Sequence, residues 1–148
     1  MQTHSFTPKG FPRRVLIVED DEYFRELAVD ALERVGLSVT QASDGKQALI
    51  ALREAARAGA PHRFCAVVTD YQMPNMTGLE LVELLAAAGV ARQTVLLSAF
   101  LDSDSQRWAE LLGVAAVMRK PLDFRALANL VRQVADRRSS VEPRAPRG

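Results

Sequence analysis

Four short motifs carry the side chains that could do chemistry in this sequence. Glu19-Asp20, Asp70, Ser98 and Lys120 each lie at the end of a short apolar run or directly after it. Carboxylates are hard oxygen ligands that suit Mg²⁺, which seldom takes all of its ligands from protein. A hydroxyl and an ammonium suit the oxygens of an incoming phosphoryl group. These residue types favour a divalent-cation site that handles phosphate.

The apolar runs alternate with helical patterns along the chain. Strands are predicted at 15–18, 37–40, 64–69, 94–98 and 115–118. Helices are predicted at 22–35, 78–88 and 122–136. Two further helices are predicted, one from Ser43 or Asp44 to about Gly59 and one from Asp102 or Ser103 to Leu112. Continuous apolar strands that alternate with helices indicate a parallel sheet covered on both faces. Ligands bind such a sheet beyond the carboxyl ends of its strands. We therefore expect the four motifs to meet at one edge.

Each motif also has a simpler explanation. The acidic run after the first strand is typical of a cap for the next helix, and an aspartate before a Pro- and Gly-containing turn is typical of turn chemistry. Ser98 and Lys120 would be ordinary strand ends if each stood alone. However, four such motifs end four strands of one sheet, and a buried carboxylate such as Asp70 is costly without a partner. Three converging carboxylates repel one another, so the combination favours a cation site.

Composition limits the function further. The chain has 148 residues, of which 48% are hydrophobic and 25% charged, and its formal charge is +1. These values predict one globular domain whose net charge is too small to attract nucleic acid or a membrane surface. No apolar run reaches the roughly 18 residues of a membrane helix, and the lone Cys65 fits a reducing compartment. We expect a soluble, cytoplasmic domain over 13–137, with flexible tails at 1–12 and 138–148.

Four stretches resemble the receiver domain of bacterial two-component response regulators: "VLIVEDDE", "VVTDYQMPNMTGLEL", "VLLSAF" and "VMRKPLD". They follow the family's order and spacing, and the resemblance covers about residues 13–136. It implies a flavodoxin-like, doubly wound (βα)₅ fold with strand order 2-1-3-4-5. It also implies a phosphoprotein of signal transduction or a phosphorelay, rather than an enzyme with a substrate of its own.

The resemblance assigns a Mg²⁺ site and a phosphoacceptor. Asp70 matches the aspartate that takes a phosphoryl group from a partner's phosphohistidine. Asp20 matches the direct Mg²⁺ ligand, and Glu19 acts on the metal through water. Asp70 and the backbone carbonyl of Gln72 complete the expected ligands. The Gln72 side chain is a further candidate, either to set the phosphoryl lifetime by positioning water, or as a solvated loop residue.

The resemblance also assigns the groups that respond to phosphate. Ser98 matches the switch hydroxyl, and Lys120 matches the lysine that pairs with phosphoryl oxygens. Pro121 follows it, as the family pattern expects, with a predicted cis bond. The expected partners are a sensor histidine kinase or histidine phosphotransfer protein, and a downstream protein on the face of the fourth helix, fifth strand and fifth helix. A homodimer through the same region is a further possibility, since its apolar residues are either interface or core.

One departure from the family concerns how the signal leaves the domain. Three residues before the motif lysine the family usually has an aromatic residue that swings inward, whereas this chain has Val117. Phe100 and Trp108 are candidate replacements. The helical spacing of Trp108 with Leu111 and Leu112 predicts instead that all three lie on the inner face of the fourth helix.

Other classes of protein fit the sequence less well. A haloacid-dehalogenase-type phosphatase usually has a second aspartate two residues after its nucleophile, where this chain has Gln72. A pseudo-receiver that docks constitutively often lacks the acids or the lysine, which are present here. A receiver cut from a hybrid kinase or multidomain regulator is equally compatible. His4 and His62 lie in predicted loops, which argues against a histidine phosphotransfer protein. No recognition helix or basic stripe indicates DNA binding.

Overall fold

The computed structural model describes residues 13–73, 75–100 and 102–140, which form a parallel sheet between two layers of helices. The strand order is β2-β1-β3-β4-β5, with every neighbouring pair parallel, so the predicted fold class and strand order are confirmed. The strands are β1 (Arg14–Val18), β2 (Ser38–Ala42), β3 (Phe64–Asp70), β4 (Thr94–Ser98) and β5 (Ala116–Arg119). The helices are α1 (Glu22–Arg34), α2 (Gly45–Ala58), α3 (Gly78–Ala87), α4 (Ser103–Leu111) and α5 (Phe124–Ser140).

The core lies on both faces of the sheet because successive strand residues point to opposite sides. Along β1, Val15 and Ile17 pack with α1 and α5, whereas Leu16 and Val18 pack with α2 and α3. All four side chains are fully buried. This two-sided burial explains why the strands are continuous apolar runs in the sequence. Within the described residues, no helix is both long and apolar enough to cross a lipid bilayer.

The lone cysteine lies at an irregularity in the sheet. Arg14 of β1 pairs with Phe64, but the next β1 residue, Val15, pairs with Ala66, so Cys65 is an extra residue in β3. As a consequence Cys65 and Ala66, although consecutive, both pack toward the α1 and α5 layer. Cys65 is partly buried there, in keeping with its interpretation as a small core side chain.

Side-chain caps fix where most of the helices begin. Asp21 accepts a hydrogen bond from the Phe24 N–H at the start of α1, and Asp44 caps α2 in the same way. Thr77 begins α3 with a capping box, and Asp102 begins α4. The simpler explanation of the acidic run is therefore correct for Asp21 alone, which leaves the two preceding acids for the site.

Several element boundaries differ from the predictions by one to four residues, and one helix face differs as well. β2 begins one residue later than predicted and ends at Ala42, and α5 extends to Ser140 rather than residue 136. The extension of α5 is consistent with the sequence, which has no glycine or proline between residues 122 and 140. Residues 138–140 of the tail predicted at 138–148 belong to α5, and the rest of that tail, with the tail predicted at 1–12, lies outside the described residues.

The prediction for the inner face of α4 was wrong for two of its three residues. Trp108 is 44% exposed and Leu111 is 71% exposed, whereas Ala109 is fully buried and Leu112 packs beside it. The reason is that α4 contacts the sheet through a narrow stripe centred on a small alanine, and its first turn is polar. Large apolar side chains therefore remain on the outer side of α4.

Candidate functional site

The predicted polar residues meet at the carboxyl edge of the sheet. Glu19 directly follows β1, Asp70 ends β3, Ser98 ends β4, and Lys120 directly follows β5. β1 lies between β2 and β3 in the sheet order, so the first two residues come from adjacent strands. Parallel strands bring all four chain positions to the same edge, as the alternating pattern predicted.

Three carboxylates form a compact acidic group at this edge. One carboxylate oxygen from each of Glu19, Asp20 and Asp70 lies within 4.8 Å of the others. Glu19 is 1% exposed and Asp70 is 7% exposed, whereas Asp20 is exposed to solvent. The group therefore has a buried base and an open side through which a ligand can enter.

Lys120 reaches into the acidic group and joins two of its members. Its Nζ donates to Oε1 of Glu19 at 2.7 Å and to Oδ2 of Asp70 at 3.3 Å. The ammonium also lies 4.2 Å from the centre of the Phe24 ring, a favourable cation–π contact. Burial alone lowers the pKa of Lys120, but the Glu19 hydrogen bond and the charge of Asp70 outweigh it, so the net pKa is raised. The ammonium stays charged, and the predicted cis peptide Lys120-Pro121 is present.

Glu19 is held from several sides. Its Oε2 accepts the Asp21 N–H at 3.1 Å, and its backbone carbonyl accepts a bond from the Arg25 guanidinium at 2.7 Å. Burial raises the pKa of Glu19 to about 7, against the opposing effect of its hydrogen bond to Lys120. A carboxylate with this raised pKa gains from any further positive charge placed beside it.

The loop after β3 presents Asp70 and Gln72 to the open side. The Gln72 N–H lies 3.4 Å from Oδ1 of Asp70, a long hydrogen bond, and the Gln72 side chain is exposed. Oδ2 of Asp70 meets Lys120, so its two oxygens have different partners. The roles of Gln72 as a carbonyl ligand and as a determinant of phosphoryl lifetime stay predictions.

Ser98 is held by its own loop rather than by the acidic group. Its side chain is buried, and its Oγ accepts the Phe100 N–H at 3.1 Å. Its carbonyl accepts the Lys120 N–H at 2.8 Å, which joins the ends of β4 and β5. A hydroxyl bonded to its own loop can leave that bond only if the loop changes conformation.

Two features of the site were not predicted from the sequence. Phe24 lies in the helix predicted at 22–35, but the contact of its ring with Lys120 was not predicted. Tyr71, directly after Asp70, donates its hydroxyl to Oγ of Ser105 in α4 at 2.9 Å. The available signal was the position of Tyr71 next to a candidate acceptor, but its partner 34 residues away could not be deduced from spacing.

The donor set fits a hard divalent cation. The carboxylates of Glu19, Asp20 and Asp70 lie within 4.8 Å of one another. Among the described residues, the ammonium of Lys120 is the one cation paired with this group, through Glu19 and Asp70. Two of the acids are buried and the third is exposed, which leaves room for water or phosphate oxygens in an incomplete protein shell. Mg²⁺ prefers this combination of a few carboxylates with retained water.

The family follows from comparison with known proteins. The sequence model of the response regulator receiver domain family matches residues 15–132 of this chain. The chain belongs to the response regulator receiver family. It is 33% identical over 125 residues to the transcriptional regulatory protein FixJ of Azorhizobium caulinodans, covering 84% of this chain and 55% of FixJ. It is 30% identical over 128 residues to the response regulator receiver protein CpdR of Brucella abortus, covering 82% of this chain and 96% of CpdR.

Solved structures show the same fold. A CheY-like receiver domain protein from Methanospirillum hungatei is 21% identical with a TM-score of 0.77, covering 87% of this receiver chain and 98% of that one. The receiver domain of Francisella response regulator 1452 is 23% identical with a TM-score of 0.71, covering 84% and 98%. The chain spans about half the length of several curated relatives, such as 55% of FixJ, and almost all of CpdR.

Proposed function

We propose that this receiver accepts a phosphoryl group on Asp70 from the phosphohistidine of a sensor histidine kinase or histidine phosphotransfer protein. The observation that carries the proposal is the placement of Asp70 at the carboxyl edge, between the acidic group and the ammonium of Lys120. Asp70 is nearly buried but remains beside the exposed Asp20, so a partner's imidazole can approach from the open side.

The reaction needs little from the protein beyond positioning and charge. A carboxylate oxygen of Asp70 attacks phosphorus, the new O–P bond forms, and the P–N bond to the partner's histidine breaks. The imidazole nitrogen keeps the electron pair of that bond and then takes a proton from solvent. Asp20, Asp70, the Gln72 carbonyl and, through water, Glu19 would hold Mg²⁺. When bound, Mg²⁺ would neutralise charge on the phosphoryl oxygens.

Lys120 and Ser98 are the groups that respond to the new phosphate. The ammonium of Lys120 already bonds Asp70 and would transfer to a phosphoryl oxygen, where a charge-assisted hydrogen bond is strong. The Ser98 hydroxyl would exchange the Phe100 N–H for a phosphoryl oxygen. That exchange would move the loop between β4 and α4, and so connect the phosphate to the outer surface.

The surface of α4, β5 and α5 is the proposed docking site for a downstream protein. Phe100 is 73% exposed, Leu111 is 71% exposed and Trp108 is 44% exposed, all on or directly before α4. Large apolar side chains that are this exposed are typical of an interaction surface when they form a patch, and Trp108 and Leu111 are neighbours three residues apart on α4. Phe100 belongs to the Ser98 loop and α4 follows that loop, so the arrangement of this surface would depend on the state of the loop.

The experiment is phosphoryl incorporation from acetyl phosphate, measured as a mass increase of the intact protein with and without Mg²⁺. We expect Mg²⁺-dependent incorporation in the wild type and none in Asp70→Asn. Asp30→Asn is the matched control, since Asp30 is exposed and pairs with Arg34 on α1, and it should label normally. Equal labelling of Asp70→Asn and the wild type would contradict the proposal.

A further inference from the structure

A side-chain hydrogen bond joins the residue after Asp70 to the first turn of α4. The Tyr71 hydroxyl donates to Oγ of Ser105 at 2.9 Å. Ser105 lies in the first turn of α4, where its N–H donates to Oδ1 of Asp102, the cap of the helix, at 2.7 Å. The tyrosine backbone is fixed as well, because its N–H donates to the Leu97 carbonyl at 2.7 Å.

The Tyr71 ring lies in the same small cluster as the valine that replaces the expected family aromatic. Both Tyr71 and Val117 pack against Val82 of α3, Leu96 of β4 and Ala109 of α4. In this chain, therefore, the aromatic side chain that contacts the cluster comes from the end of β3 rather than from β5. It is also one residue from the proposed phosphoacceptor.

We propose that Tyr71 is a positioning residue whose hydroxyl latches the first turn of α4 to the end of β3 before phosphorylation, and that phosphorylation opens this latch. The proposal rests on the proposed function of Asp70. The Tyr71–Ser105 bond joins two segments that the phosphoryl group affects separately. Tyr71 is covalently next to Asp70, and Ser105 follows the loop whose anchor is the Ser98 hydroxyl. A 2.9 Å bond between two hydroxyls tolerates little relative movement of its ends.

The latch makes a thermodynamic prediction. The Tyr71–Ser105 bond is present in the unphosphorylated arrangement and absent in the activated one, so it stabilises the unphosphorylated arrangement. Removing the bond therefore shifts the population toward the activated arrangement. Linkage then requires that a phosphoryl analogue which selects the activated arrangement binds more tightly to a chain without the latch. A net hydrogen-bond contribution of typical size gives a change in affinity of about three- to tenfold.

Trp108 provides the readout. It is the one tryptophan of the chain, and it lies three residues after Ser105, on the same side of α4. Tyr71→Phe keeps the ring in its cluster and removes only the hydroxyl. Tyr23→Phe is the matched control, since Tyr23 is the other of the two tyrosines of the chain and is 73% exposed on α1.

The experiment compares Trp108 emission, excited where tyrosine does not absorb, in the wild type, Tyr71→Phe, Ser105→Ala and Tyr23→Phe. Each protein is titrated with beryllofluoride in the presence of Mg²⁺. We expect the emission of Tyr71→Phe without beryllofluoride to lie part-way toward that of the saturated wild type. Its apparent Kd for beryllofluoride should fall about three- to tenfold. Ser105→Ala should act in the same direction, and the double variant should add little to either single change.

Each result separates the latch from the proposed function. Wild-type emission and affinity in Tyr71→Phe, together with normal labelling from acetyl phosphate, would overturn the latch and leave Asp70 as the acceptor. Weaker beryllofluoride binding in Tyr71→Phe would also overturn it, since a merely structural hydroxyl would give that loss. A wild type that neither labels nor binds beryllofluoride would overturn the function itself and the latch with it.

Discussion

At the carboxyl ends of the strands, three carboxylates lie beside one ammonium, that of Lys120, which bonds two of them, whereas at the amino ends Arg13 and Arg14 have separate partners. Arg13, directly before β1, is 7% exposed and forms a salt bridge with Asp136 of α5. Arg14 donates to the His62 carbonyl and to Oγ1 of Thr40 at 3.4 Å. Both edges of one sheet therefore place charged groups close to the core. The carboxyl edge gathers three carboxylates beside one ammonium, whereas at the amino edge one carboxylate, that of Asp136, lies beside Arg13 and Arg132.

The guanidinium of Arg14 is further covered by the Phe64 ring, whose centre lies 4.7 Å away. Arg13 retains one unsatisfied atom, a buried Nε without a hydrogen-bond partner among the described residues. Burial, and then the nearby charge of Arg132, lower the pKa of Arg13. The ion pair of Arg13 with Asp136 joins the residue before β1 to α5, beside a shared apolar core, and this placement indicates a structural role.

The contrast suggests how to separate a functional charge from a structural one. Removing a charge at the carboxyl edge should change chemistry and metal binding, while removing one at the amino edge should change the free energy of unfolding alone. The following variants test this division, beginning with the largest expected effect.

Lys120→Ala should reduce phosphoryl incorporation about 100-fold, because the transferred group loses its fixed positive partner. The same variant should bind Mg²⁺ more tightly, since three carboxylates would then have no neighbouring ammonium. Labelling with acetyl phosphate and calorimetric titration with Mg²⁺ measure the two effects. Lys46→Ala, on the exposed surface of α2, should change neither. A parallel loss of labelling and Mg²⁺ binding in Lys120→Ala would indicate misfolding instead.

Asp136→Asn should lower the free energy of unfolding by about 1–2 kcal/mol, because it weakens the charged hydrogen bonds that hold the buried Arg13, although Asp136 itself is half exposed. Urea denaturation measures this change. Phosphoryl incorporation should equal that of the wild type. If Asp136→Asn impaired labelling as strongly as a carboxyl-edge variant does, the division between the two edges would be wrong.

Glu19→Gln should remove a pH dependence of stability from the metal-free protein. The pKa of Glu19 is raised from 4.5 to about 7, so protonation favours the folded state. This contribution is complete below pH 4.5 and is lost as the pH rises toward about 7. The free energy of unfolding in the presence of a chelator should therefore fall across this interval more steeply in the wild type than in Glu19→Gln. Identical slopes would show that burial does not perturb Glu19.

Gln72→Ala should change the rate at which the phosphoryl group is lost from Asp70 severalfold, because its exposed side chain is two residues from the acceptor and can orient or obstruct water. Decay of the labelled intact mass after removal of acetyl phosphate gives the rate. Gln133→Ala, exposed on α5, serves as the control. An unchanged decay would leave Gln72 as a solvated loop residue.

The sequence was sufficient to predict the sheet and the residues at its carboxyl edge. Alternation of apolar runs with helical patterns is a local signal, and parallel strands bring their ends together without further information. Val15 to Val18 illustrate this, since four consecutive apolar side chains indicate a strand buried on both faces, and all four are fully buried.

The remaining features depend on packing between distant segments. Trp108 and Leu111 have helical spacing with Leu112, but the width of the buried stripe on α4 depends on which residue meets Leu96 and Val82. The Tyr71–Ser105 and Arg13–Asp136 contacts likewise join residues far apart in sequence, through side-chain rotamers that no local pattern specifies. Helix ends were predicted least well where, as in α5, no glycine or proline stops the helix.

The most direct test of the account is to locate the phosphoryl group itself. The wild type is labelled with acetyl phosphate and Mg²⁺, the acyl phosphate is reduced with borohydride, and the modified residue is identified by peptide mass spectrometry. Borohydride converts an aspartyl phosphate to homoserine, so the account predicts that change at Asp70 alone, in a Mg²⁺-dependent manner. A modification at Asp20 or at another acid, with Asp70 unmodified, would contradict it.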